Sequence, residues 1–341
     1  MIISKTPLRM SFFGGGTDYP EWFSQHGGAV LSATFNKYCY ITCRYLPPFF
    51  DHKYRLTYSK VEHRKSIQDI EHKVIKQVIV RSETSNGLEI HCDADLPARS
   101  GLGSSSTFTV GLINALYNLL GKQLRPNDLA QEAIIIEREK LSEVVGYQDQ
   151  YAAAHGGLNL IEFAKSGQTT VNRLPVEASR QALLADHLML FFTGISRDAH
   201  EIAAKKVQGF DDKKSELRLM QASVAHATNI LTTGGNISEF GELMHMNWML
   251  KRSLSDSVSN PYLDSLYELA RESGAIGGKL LGAGGGGFLL LFVPPKKQQA
   301  VKAALSELVH VPFTFENKGS EIIYDVKERP RFQALQSREV A

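Results

Sequence analysis

The stretch Asp95-Leu-Pro-Ala-Arg-Ser-Gly-Leu-Gly-Ser-Ser-Ser-Thr-Phe-Thr-Val-Gly-Leu-Ile-Asn-Ala-Leu116 decides how the rest of the chain is interpreted. The alternation Leu88-Glu-Ile-His-Cys before it predicts a strand, and the apolar residues after Gly103 recur with the period of a helix. A glycine loop that leads into a helix start is an anion site, because the first helical N–H groups have no intrahelical partner and the helix dipole is positive there. The stretch lacks the Gly-Lys-Ser/Thr of a Walker loop and the Rossmann spacing; an ordinary serine-capped helix after a turn is the alternative.

The length and composition indicate a soluble globular protein with two domains. The chain has 341 residues, of which 43% are apolar and 22% are charged. A nearly continuous apolar run at 187–194 predicts a buried strand at the start of a second domain. We therefore expect domains at 1–180 and 181–330, followed by a polar tail at 331–341.

Charge, apolar patterning and cysteine spacing give no support for nucleic-acid, membrane or metal binding. The formal net charge of +2, with Lys and Arg spread along the chain, gives no electrostatic case for nucleic acid. The sequence contains no run of 18 apolar residues, so we expect no membrane-spanning helix. The N-terminal segment does not resemble a signal peptide. Cys39, Cys43 and Cys92 have no metal-binding spacing and are read as small apolar residues in strands. We expect a cytoplasmic protein without a membrane partner.

A second glycine-rich turn follows the first predicted strand, in Arg9-Met-Ser-Phe-Phe-Gly-Gly-Gly-Thr-Asp18. Consecutive glycines lose much backbone entropy on folding, so they indicate a place where backbone approaches another group closely. Arg9 and Asp18 flank this turn with opposite charges. A solvated arginine and an Asx-turn aspartate are the simpler interpretation of these two residues.

Two carboxylates after the central stretch are candidates for chemistry. Glu137 lies beside the apolar face of a predicted helix at 126–140, where an exposed glutamate paired with a neighbouring cation is the usual finding. Asp149 stands among largely uncharged residues in Gly146-Tyr-Gln-Asp-Gln, where a carboxylate is costly unless it is paired. Asp149 is therefore either a structural ion-pair partner or a catalytic carboxylate.

A third glycine-rich stretch, Ile276-Gly-Gly-Lys-Leu-Leu-Gly-Ala-Gly-Gly-Gly-Gly-Phe-Leu-Leu-Leu-Phe-Val293, runs from a glycine turn into a buried strand. A flexible linker would not lead directly into such an apolar run. Together the three stretches resemble, in order, the three motifs of the GHMP kinases, the superfamily of galactokinase, homoserine kinase and mevalonate kinase. The resemblance implies an α+β fold with an N-terminal lobe like ribosomal protein S5 domain 2 and a ferredoxin-like C-terminal lobe.

The resemblance also implies the site and its cofactors, ATP and Mg²⁺. The nucleotide-binding residues would be Pro97, Gly101, Leu102, Gly103, Ser104, Ser105 and Ser106. Mg²⁺ would be held by Ser105 and Glu137, and Asp149 and Arg9 would be catalytic. Acceptor contacts would come from Gly15, Gly16, Thr17, Asp18, Gly284 and Gly285.

Within the superfamily the chain looks most similar to the bacterial D-glycero-D-manno-heptose 7-phosphate kinases, which phosphorylate the anomeric hydroxyl on the way to GDP-heptose for surface polysaccharides. That acceptor carries a phosphate, for which Arg197, Lys251 and Arg252 are the candidate cations because such a dianion needs charge-assisted donors. Surface ion pairs are the simpler reading of these three. A kinase for fucose or another small acceptor, and a binding protein without catalysis, are the alternatives. The partners would be ATP and a sugar phosphate, and a homodimer is compatible with the sequence.

Overall fold

The computed structural model describes residues 1–195, 203 and 207–326. Its strands are β1 (Ile2–Phe13), β2 (Gly28–Tyr45), β3 (Tyr54–Thr57), β4 (Val61–Arg64), β5 (Leu88–Ala94), β6 (Leu158–Phe163), β7 (Thr169–Arg173), β8 (Leu188–Phe192), β9 (Gly277–Leu280), β10 (Phe288–Phe292), β11 (Val309–His310), β12 (Phe315–Glu316) and β13 (Glu321–Asp325). Its α-helices are α1 (Pro20–His26), α2 (Lys73–Ser82), α3 (Ser104–Leu119), α4 (Pro126–Ile134), α5 (Gln148–His155), α6 (Ala178–Asp186), α7 (Lys214–Thr233), α8 (Ser238–Arg252), α9 (Pro261–Glu272) and α10 (Gln298–Ala304).

The first lobe is built on a nine-stranded sheet whose main path runs β13-β1-β2-β5-β3-β4. The long strand β2 is central to this sheet, because it pairs antiparallel with β1, β5, β6 and β12. The β1–β2 register shifts between Pro7 and Leu8, where proline has no N–H to give to the ladder. Helices α2 to α5 bury their apolar residues against this sheet in one core.

The second lobe contains a four-stranded antiparallel sheet in the order β11-β8-β10-β9. The apolar run predicted as a buried strand is β8, and it lies beside β10, whose five residues are all buried. Strands β9 and β10 pair with each other, so the loop 281–287 between them holds the third glycine-rich stretch at one end of this sheet. This mixed helix and strand content in two lobes confirms the predicted α+β fold class.

The C-terminal end of the predicted second domain contributes two strands to the first sheet. Strands β12 and β13 lie within 181–330 but belong to the first sheet, where β12 pairs with β2 and β13 pairs with β1. Pairing with β13 covers one edge of β1 that would otherwise be open. The tail at 331–341 lies outside the described residues.

The two lobes share an apolar core rather than meeting only through polar surfaces. Met10, Phe12 and Phe13 of β1 are fully buried in one cluster with residues of the second sheet and its helices. The ring of Phe240 on α8 lies 5.5 Å from that of Phe12 and 5.1 Å from that of Phe13, both edge to face. The two lobes are therefore joined by a continuous apolar core. No helix in the described part of the chain is long and apolar enough to cross a membrane.

Candidate active site

A cavity of about 1120 Å³ lies between the lobes, and most of the predicted site residues line it. The predicted residues that line it are Arg9, Gly15, Gly16, Asp18, Pro97, Gly101, Gly103, Ser104, Ser105, Ser106, Asp149 and Lys251. Of the predicted residues that the structure describes, Thr17, Leu102, Glu137, Arg252, Gly284 and Gly285 do not line it. Arg197 lies outside the described residues.

The residues behind the cavity wall have other partners. The Thr17 hydroxyl donates to the carbonyl oxygens of Gly14 and Ala29, which ties the N-terminal glycine turn together. The N–H of Gly285 donates to the carbonyl oxygen of Val258, and Gly284 packs against the same residue. These contacts organise the two loops, and the predicted role of Thr17, Gly284 and Gly285 in binding the acceptor stays a prediction.

The central glycine loop ends in a helix that no side chain caps. The N-cap of α3 is Gly103 in the left-handed region, and Ser104, Ser105 and Ser106 are the first three helical residues rather than caps. The Ser104 hydroxyl is turned back to accept from the N–H of Arg99. The positive end of α3 therefore faces the cavity with its first-turn N–H groups uncapped, which suits an anion such as phosphate.

The loop is held against the second lobe by a contact that requires glycine. Gly101 has φ +83°, and a Cβ there would lie 2.4 Å from the carbonyl oxygen of Leu281. A Cβ on Gly282 would in turn lie 2.4 Å from the Cα of Gly101. The phosphate-type loop of one lobe and the glycine loop of the other thus touch backbone to backbone.

Arg9 and Asp149 form a forked ion pair at the floor of the cavity. The Nε of Arg9 lies 2.7 Å from Oδ1 of Asp149, and the second guanidinium nitrogen lies 2.8 Å from Oδ2. The remaining nitrogen donates to the carbonyl oxygen of Gly101 at 2.7 Å. The Arg9 side chain is 5% exposed, whereas that of Asp149 is 23% exposed. One arginine thus fixes both the carboxylate and the glycine loop, and the carboxylate keeps a face toward the cavity.

Glu137 is completely buried and lies on the π-helical turn Ile135–Lys140 that continues α4. Its Oε2 accepts from the hydroxyl of Ser106 at 2.9 Å and from the amide of Gln150 at 2.5 Å. Its other oxygen has no hydrogen-bond partner among the described residues. Burial raises the pKa of Glu137 to about 7, against the opposing effect of the hydrogen bonds from Gln150 and Ser106.

This arrangement fits a divalent cation, and it adds Ser106 as a second candidate ligand beside the predicted Ser105. An unpartnered buried carboxylate oxygen is the hard, anionic donor that Mg²⁺ prefers. The serine that reaches Glu137 is Ser106, while Ser105 is exposed. No group of three or more His, Cys, Asp or Glu side chains in the described ranges could hold a metal by itself, so most other ligands would come from nucleotide and water.

Asp18 is held in place by the segment that carries Asp149. It is 1% exposed and accepts from the N–H of Gly16 at 2.9 Å and from Nε2 of Gln148 at 3.0 Å. A Cβ on Gly146 would lie 1.9 Å from Oδ2 of Asp18, so only glycine leaves room for this carboxylate. Asp18, Gln148 and Asp149 therefore form one wall of the cavity.

Two buried lysines of the second lobe also line the cavity. Lys251 on α8 donates to the carbonyl oxygens of Leu280 and Gly282 at 2.7 and 2.6 Å. Lys279 on β9 donates to the carbonyl oxygen of Phe12 at 2.8 Å. The sequence analysis did not name Lys279 as a site residue, although a lysine in a buried glycine-rich strand indicates a special role. Arg252 does not line the cavity and pairs with Asp264 at 2.6 Å, and its predicted role as a phosphate-binding cation stays a prediction.

Aromatic side chains line the cavity beyond the glycine loop, and no local pattern in the sequence brings them together. The ring of His72, at the start of α2, lies 5.0 Å from that of Phe108 on α3 and 4.6 Å from that of Tyr58. Burial lowers the pKa of His72, which favours a neutral ring. The three come from separate segments, so only the folded chain forms this aromatic patch.

Comparison with known proteins agrees with this geometry. Residues 68–157 match the GHMP kinases N terminal domain and residues 223–311 match the GHMP kinases C terminal domain. The chain is 34% identical over 294 residues to the D-glycero-alpha-D-manno-heptose 7-phosphate kinase of Campylobacter jejuni, covering 83% of this chain and 86% of that protein. It is 30% identical over 205 residues to an L-fucokinase/L-fucose-1-P guanylyltransferase of Bacteroides fragilis, but this covers only 58% of this chain and 21% of that protein. A crystal structure of a D-glycero-D-manno-heptose 1-phosphate kinase from Bacteroides thetaiotaomicron superposes with a TM-score of 0.80 at 26% identity, covering 96% of this chain and 100% of that one.

Proposed function

The chain belongs to the GHMP kinase family, whose members are phosphotransferases acting on a hydroxyl group, and on that premise we propose that it transfers the γ-phosphoryl group of ATP to the anomeric C1 hydroxyl of D-glycero-D-manno-heptose 7-phosphate. The observation that carries the chemistry is the Arg9–Asp149 pair beside the uncapped start of α3. The observation that carries the acceptor is the 34% identity to a heptose 7-phosphate kinase over 83% of the chain.

ATP would lie along the first-lobe side of the cavity. The N–H groups at the start of α3 and the loop around Gly101 would bind its phosphates. The helix start attracts the negative charge of the phosphate oxygens, and the glycines let the backbone approach them closely. The aromatic patch of Tyr58, His72 and Phe108 would stack with the adenine, since an adenine ring is flat and apolar on both faces.

Mg²⁺ would be held by Glu137 together with Ser105 or Ser106 and the nucleotide phosphates. A bound Mg²⁺ neutralises charge on the phosphates during transfer. Ionised Glu137 provides the protein's anionic ligand, and Gln150 orients it. The predicted Ser105 ligand stays a prediction, and Ser106 is the alternative because it already contacts Glu137.

The acceptor hydroxyl would lie against Asp149. Each oxygen of Asp149 uses one lone pair for Arg9 and retains another, so the carboxylate can still accept a hydrogen bond from the hydroxyl and take its proton as the new O–P bond forms. Phosphoryl transfer depends mainly on positioning and charge stabilisation. Arg9 contributes to both, because it orients Asp149 and places positive charge at the reaction centre.

Residues of the second lobe would complete the binding site for the sugar phosphate. Lys251 and Lys279 line the same cavity as Asp149 and place two ammonium groups on the C-terminal side. They are the candidates for the acceptor's 7-phosphate; the predicted candidate Arg197 stays a prediction. A cytoplasmic location, where ATP is available, and a homodimer also remain predictions.

Product analysis tests the proposal. The protein would be incubated with ATP, Mg²⁺ and D-glycero-D-manno-heptose 7-phosphate, and the product examined by ¹H and ³¹P NMR. We expect a new phosphorus signal coupled to the anomeric proton. The position matters because one relative is named a 7-phosphate kinase and the other a 1-phosphate kinase. Phosphorylation only at another carbon, or turnover of only unphosphorylated sugars such as fucose, would refute the proposed reaction.

A further inference from the structure

Two polar atoms at the Asp18 side of the cavity are buried and have no hydrogen-bond partner among the described residues. They are the hydroxyl oxygen of Ser11 and the amide oxygen of Gln148. Ser11 is 6% exposed and Gln148 is 9% exposed, and both line the cavity. A buried polar atom without a partner weakens the fold, so its retention needs an explanation.

The two side chains converge on the same space beside Gly15. A Cβ built on Gly15 would lie 3.8 Å from the Ser11 hydroxyl oxygen and 3.9 Å from the Gln148 amide nitrogen, with nothing closer. Both side chains therefore reach ordinary van der Waals distance from a Cβ at Gly15, and Gln148 does so with its amide nitrogen. The next residue after Gln148 is Asp149, so this space adjoins the proposed reaction centre.

The orientation of Gln148 determines what it can bind. Its Nε2 lies 3.0 Å from the Oδ2 of Asp18, and a carboxylate oxygen can only accept, so the amide nitrogen faces Asp18. The amide oxygen is then the free end, and it requires a donor from the ligand. Ser11 can donate or accept. A hydroxyl group meets both requirements, whereas a carboxylate offers no donor and would add negative charge beside Asp18.

We propose that Ser11 and Gln148 are specificity-determining residues that bind hydroxyl groups of the acceptor next to the one that reacts. The site thereby selects polyhydroxy acceptors, the sugars, over hydroxy acids. This inference rests on the proposed function, because it assigns the contacts of the acceptor in that reaction.

The fold provides a matched control for Ser11. In the β1–β2 ladder Ser11 lies directly opposite Ser32. Ser32 is 1% exposed and its hydroxyl oxygen also has no partner among the described residues, but it does not line the cavity. Each substitution removes one unpartnered hydroxyl from the same ladder, and the proposal predicts that only the Ser11 change removes a ligand contact.

The first test measures binding without catalysis. D-glycero-D-manno-heptose 7-phosphate would be titrated by calorimetry into wild type, Ser11→Ala, Gln148→Met and Ser32→Ala, each saturated with a non-hydrolysable ATP analogue. We expect Ser11→Ala and Gln148→Met to weaken binding by about 3- to 10-fold each, the usual effect of one neutral hydrogen bond, and Ser32→Ala to leave it unchanged. Affinity for the ATP analogue should be the same in all four proteins. The inference is overturned if neither variant binds more weakly than Ser32→Ala.

The second test uses sugars instead of variants, so it does not depend on how well Gln148→Met folds. Monodeoxy analogues of the heptose 7-phosphate would be compared on wild type and Ser11→Ala. If Ser11 contacts a hydroxyl, one analogue should bind wild type more weakly but lose nothing further in Ser11→Ala. Losses that multiply for every analogue would refute the contact.

Failure of the inference and failure of the proposed function give different results. If the sugar binds as described but no phosphorylated product forms, the proposed function fails and the contacts stand. If product forms while both variants keep the wild-type affinity, the function stands and the assignment of Ser11 and Gln148 fails.

Discussion

Replacing Glu137 with glutamine is expected to stabilise the unliganded protein at alkaline pH while abolishing phosphoryl transfer. Burial raises the pKa of Glu137 from 4.5 to about 7. The difference is about 2.5, and each pKa unit corresponds to about 1.4 kcal/mol. Keeping this carboxylate ionised at pH 8 therefore costs the folded state about 3 kcal/mol. Glutamine has a similar shape and no charge to desolvate.

The sign of the pH dependence follows from the raised pKa. Below pH 4.5 Glu137 is protonated in both folded and unfolded chains, so its contribution is fully retained. Between pH 4.5 and about 7 the unfolded chain loses this proton first, and the folded state is progressively destabilised. The free energy of unfolding of Glu137→Gln, minus that of wild type, should thus grow by about 3 kcal/mol between pH 4.5 and pH 8.

Urea unfolding followed by circular dichroism, without metal or nucleotide, measures this difference at pH 4.5, 6 and 8. Glu132→Gln is a control because the pKa of Glu132 is shifted in the opposite direction. Burial opposes ionisation of Glu132, but hydrogen bonds from Arg81 and Tyr117 outweigh it and hold the pKa below 4.5. That variant should lose stability relative to wild type as the pH rises toward 4.5 and change little above it, so its series also includes a point at about pH 3. Mg²⁺ with an ATP analogue should raise the Tm of wild type more than that of Glu137→Gln. A difference for Glu137→Gln that stays constant or shrinks with pH would refute the reasoning.

Asp149→Asn should lower kcat by at least about a hundredfold, the usual range for loss of a general base, without changing the Kd for an ATP analogue; near-normal turnover by the folded variant would reject Asp149 as the base. Gly146→Ala should raise the KM for the sugar more than the KM for ATP, because its Cβ would lie 1.9 Å from Oδ2 of Asp18; equal increases would indicate general damage to the cleft. Lys251→Met should raise the KM for the sugar phosphate in steady-state assays, whereas Arg252→Ala should not, since Arg252 does not line the cavity; the opposite order would contradict this placement.

Much of the scaffold could be predicted because its signals are local. The glycine loop and α3 followed from a strand, three glycine or proline positions and an apolar helical period within one stretch. The buried strand β8 followed from a continuous apolar run. The return of β12 and β13 to the first sheet could not be predicted, because pairing between residues about 300 positions apart leaves no local pattern.

The sequence motifs predicted which residues belong to the site, but not which residues contact each other there. The choice between Ser105 and Ser106 as the neighbour of Glu137 depends on helix phase, which turns by about 100° per residue, and on a helix boundary known only to within a residue or two. The pairing of Arg9 with Asp149 joins segments 140 positions apart. Lys279 was missed because its importance depends on which lobe surface its strand faces.

The position of β13 also bears on how the protein is made. Its neighbour β1 is synthesised well before β13, because Ile2 of β1 pairs with Asp325, the end of the last strand in the described part of the chain, and the Met1 nitrogen is hydrogen-bonded to the carbonyl oxygen of Val326. At about 5 to 20 residues per second, β1 waits on the order of 15 to 60 seconds during translation for its partner. Through that interval the nascent chain carries an open sheet edge, which is a template for intermolecular pairing. Ribosome-bound chains stalled before Glu321 should therefore be cleaved by protease much faster than released full-length chains, and equal cleavage rates would show that the first sheet is secure without its last strand.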